Sequence, residues 1–124
     1  SRPSAGISGF TRRAAVAAYD QAAAGYRIVV LQGLQNVADV LRALEADALT
    51  LAARSEQAAR ADDAFRIARA RYDAGGVSLL AVLDAERTRL QAELDRVQAQ
   101  AARNADAAAL CQALGGVWQS GAEP

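Results

Sequence analysis

The chain has 124 residues, 52% of them hydrophobic, and its 14 basic residues, all arginine, balance 14 acidic ones mixed among them, which leaves no electrostatic footprint for nucleic acid. A mean hydropathy near zero argues against disorder, yet much of the apolar content is alanine, so one domain with thin helix-on-helix contacts is expected rather than a deep core. With no histidine, one cysteine and no glycine-rich phosphate loop, the chain lacks the usual zinc sets, Ser-His and Cys-His catalysis and nucleotide motifs; no metal, no cofactor and no enzymatic activity are expected.

Residues 1–10, SRPSAGISGF, mix Ser, Gly and Pro without period and read as a flexible tail or an expression remnant. From about residue 11 to about 73 the pattern is helical, with Thr11 as N-cap, although Arg12 and Arg13 would then sit at the positive end of the helix dipole. Val30, Leu34, Val37, Leu41, Leu44, Ala48, Leu51, Ser55, Ala58, Asp62, Phe65, Arg69 and Tyr72 alternate spacings of four and three, the mark of a coiled-coil seam. Gly25 and Gly33 interrupt it at about 1 kcal/mol each relative to alanine, too little to end a helix packed along its length.

The stretch RYDAGGVSLLAVLDAERTRLQAE then breaks one helix and starts another. Gly75 suits the left-handed residue that ends a helix, Gly76 permits a tight path onward, and Ser78 is a suitable N-cap. A second helix is therefore expected over about 79–114, its seam formed by Leu80, Leu83, Leu90, Leu94, Val97, Ala101 and Ala108. Its solvent face would carry Glu86, Arg87, Arg89, Glu93, Asp95 and Arg96, with Glu86–Arg89 and Glu93–Arg96 as i,i+3 pairs. Cys111 reads as a buried or idle thiol, Gly115 and Gly116 close the helix, Trp118 follows as a packing anchor, and residues 119–124 form a loose end.

The elements add up to an all-α fold, a long antiparallel helical hairpin over residues 11–118 with its turn at 74–78. No run of about 18 apolar residues could span a bilayer, no charged-then-apolar leader is present, and no set of strands of about ten alternating residues could build a barrel. The turn itself is unusual. Val77, Leu79 and Leu80 stand at or beside the bend, either as a docking surface or as an internal cap on the seam, and periodicity does not choose between them.

The run from Ala68 to Trp118, and above all the pattern Tyr-x-x-Gly-x-x-Ser-Leu-x-x-Val-Leu-Asp-Ala from Tyr72 to Ala85, resembles the C-terminal helical repeat of TolC-like outer-membrane efflux factors, including their lipoprotein subgroup. The motif ALGGVW is a second anchor, and residues 17–48 look like the start of the repeat's long helix. The resemblance implies part of a trimeric channel whose barrel, absent here, crosses the outer membrane and whose helices form a periplasmic tunnel, this portion being soluble on the periplasmic side. Its partners would be a periplasmic adaptor (membrane fusion) protein and, indirectly, an inner-membrane pump that exports small molecules.

By position, Gly75, Gly76, Val77, Ser78 and Leu79 would form the adaptor-docking tip, Tyr72 would help hold the tips closed, and Asp84 would belong to an acidic ring at the constriction. Two departures bear on those roles. Ala81 stands where family members often carry a second acid, which implies a weaker ring, and Val77 stands where some carry an arginine of the closing network. Without the resemblance, Asp84 reads as a helix N-terminal residue favoured by the dipole. Outside its tunnel the hairpin is expected to self-associate. A stand-alone coiled coil or adaptor-type hairpin, serving as an interaction module, is the alternative.

Overall fold

The structure, a computed structural model, describes residues 3–121, without the side chains of residues 3–5 and 120. It contains two helices, α1 (Pro3–Asp73) and α2 (Leu79–Gly121), joined by residues 74–78, and no strand among the described residues. The expected all-α hairpin is thus the observed fold.

The ends differ from the sequence reading. α1 starts at Pro3 rather than Thr11, because proline is tolerated at a first helical position, where its missing N–H costs no bond, and Gly6 and Gly9 are too weak to break a helix. Thr11 is no cap: its hydroxyl donates to the Ile7 carbonyl one turn back. At the other end α2 runs through Gly115 and Gly116 to Gly121, and Trp118 is 80% exposed rather than a packing anchor. Cys111 is exposed, not buried. Residues 1, 2 and 122–124 of the expected tails lie outside the described residues.

Helix-to-helix contacts divide the chain into two units, one joining the part of α1 up to Ala38 with the part of α2 from Gln112, the other formed by Asp39–Cys111. In the first, Gly33 has a packing role: Val117 of α2 comes within 3.2 Å of where a Cβ would stand. Ala113 is buried there and Val30 and Val37 are half-buried, whereas Leu34 faces solvent.

In the second unit α1 packs through most of the expected stripe, with Leu51 buried and Leu44, Ala48, Ser55, Ala58, Asp62 and Phe65 half-buried, but Leu41, Arg69 and Tyr72 of that stripe are exposed and the buried Ala61 lies outside it. α2 does not. Its buried residues are Val82, Ala92 and Ala99, with Ala85, Glu86, Arg89, Asp95 and Arg96 half-buried between them. The expected seam residues Leu80, Leu83, Leu90, Leu94 and Val97 are exposed, as are Ala101 and Ala108.

The physical reason is that α2 carries two apolar stripes of the same three-four spacing, one of leucine and one chiefly of alanine. Hydrophobicity ranks leucine first, but small side chains let two helices approach closely, and the pairing uses the alanine stripe. Four of the six buried apolar residues described are alanines, so the contact is thin, as composition implied.

This seam makes a testable contrast. Ala92, only 3% exposed, has no room for added methylenes, so Ala92→Leu should destabilise the hairpin by about 1–3 kcal/mol. Leu94→Ala, on the exposed stripe, should cost about 1 kcal/mol or less. Urea unfolding at low protein concentration measures both, and the reverse order would put the seam on the leucine stripe.

Candidate functional site

The hairpin turn is built from its backbone outward. Gly75 takes φ of 79°, the left-handed conformation. Its N–H donates to the Tyr72 carbonyl at 2.9 Å, and the Gly76 N–H donates to the Arg71 carbonyl at 2.7 Å. These two bonds form a Schellman motif and satisfy carbonyls that the last turn of α1 would otherwise leave open. On the far side the Ser78 side chain accepts from the Ala81 N–H at 3.3 Å, as an N-cap does. The two glycines are not equivalent. A Cβ on Gly76 would meet the Arg71 carbonyl at 3.4 Å and the Arg71 Cβ at 4.0 Å, both ordinary contacts, whereas any side chain at Gly75 meets the strain of the left-handed backbone.

Beside the turn, Val77 is half-buried while Leu79 and Leu80 are exposed, Leu80 at 76%. Just below lies an open cleft of about 400 Å³ between the helices, lined by Phe65, Arg69, Tyr72 and Asp73 of α1 and by Leu79, Val82, Leu83 and Glu86 of α2. It brings Tyr72 and Leu79 together. Asp84 stays outside it on α2, where Arg87 donates to its carboxylate at 3.1 Å and the Thr88 hydroxyl donates to its backbone carbonyl at 3.1 Å.

Two residues of the cleft, Phe65 and Glu86, contact Arg89, which is not itself part of the lining. Arg89 lies 5.3 Å from the centre of the Phe65 ring, a cation–π contact between the helices, and donates through Nε to Glu86 at 2.9 Å and through Nη2 to the other carboxylate oxygen. That hydrogen bond holds the Glu86 carboxyl below the usual glutamate range, with the charges of Arg89 and Arg69 adding to it against partial burial. Arg96 does the same for Glu93. Both carboxyls therefore contribute stability that is present above the ordinary glutamate value and is lost as pH falls through their depressed values. The residues read as a solvated face include these, and Glu86, Arg89 and Arg96 turn out to be half-buried at the helix contact. Sequence reasoning also missed the cleft. The available signal was the break of the α1 seam by Asp62 and Arg69, which asks for charged partners on α2.

Among the described residues no group of three or more acidic or cysteine side chains could hold a metal ion, and no helix is long and apolar enough to cross a membrane.

Comparison with known proteins adds an independent line. The family profile "Outer membrane efflux protein" matches residues 9–116. Two similar proteins, each named "Pyoverdine export outer membrane protein OpmQ", come from Pseudomonas putida, 32% identical, and Pseudomonas aeruginosa, 33% identical, each over 95 residues. The alignments cover 77% of this chain and 20% of each relative, so the chain spans about a fifth of their length. No solved structure matches the chain.

The turn geometry separates its glycines. Gly75→Ala should destabilise the hairpin by about 1–2 kcal/mol through the left-handed backbone, and Gly76→Ala should change stability by about 0.5 kcal/mol or less. Thermal unfolding of both variants followed by circular dichroism measures this; equal losses would show that the Schellman geometry does not govern the turn.

Proposed function

This chain belongs to the outer membrane efflux protein family, which places it at the outer membrane, and from that premise we propose that it is the periplasmic hairpin of a trimeric efflux channel whose tip docks a periplasmic adaptor. The observation that carries the reading is the tip itself: a Schellman turn fixed by Gly75 that leaves Leu79 and Leu80 exposed above an apolar and charged cleft. A turn with only a structural role would end in polar side chains; a docking tip needs apolar ones in water.

In this reading Gly75, Gly76, Val77, Ser78 and Leu79 meet the adaptor hairpin, with the cleft receiving one of its side chains. Tyr72, at the cleft edge, takes part in closing the tip. Asp84 faces the pore in each of three copies, where Arg87 offsets part of its charge and a single carboxylate ring attracts cations weakly. The adaptor links the channel to an inner-membrane pump, the cargo is a small molecule, and the pyoverdine of the relatives' names is the first one to test. The hairpin acts in binding and conduction and needs no cofactor.

In the full-length channel, Leu79→Glu should lower capture of the purified adaptor by about tenfold or more, as expected for a buried apolar contact at an interface centre, while Gln98→Glu, at an exposed polar position far along α2 and off the leucine stripe, should leave capture unchanged. Adaptor capture that survives Leu79→Glu removes the docking role from the tip. A native polypeptide of about 12.9 kDa in the soluble fraction of the source cells, detected by an antibody to the hairpin, would instead favour a free-standing interaction module.

A further inference from the structure

Farther from the tip the helix pair carries a second open cleft, of about 260 Å³, with Ala58, Ala59 and Asp62 of α1 and Arg89, Glu93 and Arg96 of α2 among its walls. It lies on the same flank as the tip cleft. Ala58 and Ala59 stand fourteen residues before Tyr72 and Asp73, Asp62 stands seven before Arg69, and Glu93 stands seven after Glu86. In paired helices of three-four spacing a step of seven returns to the same face. The two clefts are therefore successive stretches of one groove, and a helical partner with the same repeat finds matching positions in both.

What separates them is Arg89. It stands one heptad after Val82 and three residues before Ala92, both buried, so it enters the line of contact between the helices, from which an unpartnered guanidinium would be driven out to water. Here it is held in place. Glu86 accepts from Nε at 2.9 Å and from Nη2 through its other oxygen, and the guanidinium carbon stands 5.3 Å from the centre of the Phe65 ring on the opposite helix. The side chains of Arg89 and Glu86 are each only 30% exposed. Two hydrogen bonds and one ring thus fix a bar that runs from α2 to α1. Phe65 and Glu86 line the tip cleft and Arg89 lines the second one, which makes the bar the wall between them.

We propose that Arg89 is a register stop: braced by Glu86 and Phe65, it closes the groove at its own level, so that a docked helical partner seats a side chain in the tip cleft and not one register farther from the tip. The proposal rests on the docking reading of the tip and adds to it the residue that sets how far the partner reaches. Arg89 is a positioning residue here. A polar side chain at one seam position is a known means of fixing register between helices, and this one is placed where two equivalent seats would otherwise be joined.

The test is photo-cross-linking of the full-length channel to the purified adaptor, with a benzophenone side chain introduced at Leu83 in the tip cleft or at Ala59 in the second cleft, both exposed positions. With Arg89 in place, the adaptor should cross-link from Leu83 and stay at background from Ala59. Arg89→Ala adds one more alanine to a seam already built on Ala92 and Ala99; it should keep the hairpin folded, retain the Leu83 yield and raise the Ala59 yield several-fold. Glu86→Gln keeps the shape of the brace but gives up one of its two acceptors, and should move the Ala59 yield in the same direction by a smaller factor. An Ala59 yield that stays at background in Arg89→Ala while the Leu83 yield persists overturns the stop, as does a fall of both yields together, which would make Arg89 a packing residue only. Equal yields from the two positions with Arg89 in place overturn it as well. No cross-link from either position with Arg89 in place removes the docking reading of the tip, and the stop with it.

Discussion

The constraint on which the rest of this structure depends is how closely two long helices approach when one of them offers mainly alanine. Val82, Ala92 and Ala99 of α2, set against Leu51 and Ala61 of α1, form the buried line of Asp39–Cys111. Short side chains bring the backbones near and leave little apolar area to hold them there. Apart from Leu51 and Val82, larger side chains are displaced to the flanks. Phe65, Arg89, Glu86 and Asp95 therefore sit half-buried at the edges of the contact, where they can bond between helices instead of being excluded to solvent.

The same constraint sets the surface. With the alanine stripe used for pairing, Leu83, Leu90, Leu94 and Val97 of α2 remain exposed along one side. So contiguous an exposed apolar stripe is more than a lone helix pair needs for its own packing. The tip follows a different rule, that of backbone geometry. Gly75 reverses the chain by conformation, not by packing, and this leaves Leu79 and Leu80 exposed.

Electrostatics distinguishes the two halves of the paired region. Near the tip, arginine meets acid at Glu86 and Glu93, and the hydrogen bonds hold both carboxyls below the ordinary glutamate range; farther away, the influence of Asp47 pushes the Asp106 carboxyl up. One thin seam thus carries contacts that respond to acid in opposite directions. With so little apolar burial, each of these edge contacts is a larger share of what holds the helices together than it would be in a deep core.

The sequence by itself determined the helices, the place of the turn and the residue that makes it, because these depend on local rules: three-four spacing, a left-handed glycine, a serine cap. It also determined most of the α1 face, from Leu44 to Phe65, although Leu34, Leu41, Arg69 and Tyr72 of the expected stripe are exposed and the buried Ala61 lay outside it. It misplaced the helix ends, because Gly6, Gly9, Gly115 and Gly116 cost too little to stop a helix. What only the tertiary structure decided was the face of α2 and everything that follows from it, including the half-buried Arg89 against Phe65 and the cleft beside Tyr72. Two stripes of equal period fit the same helix, and only the close approach of the partner, which rewards small side chains over hydrophobic ones, selects between them.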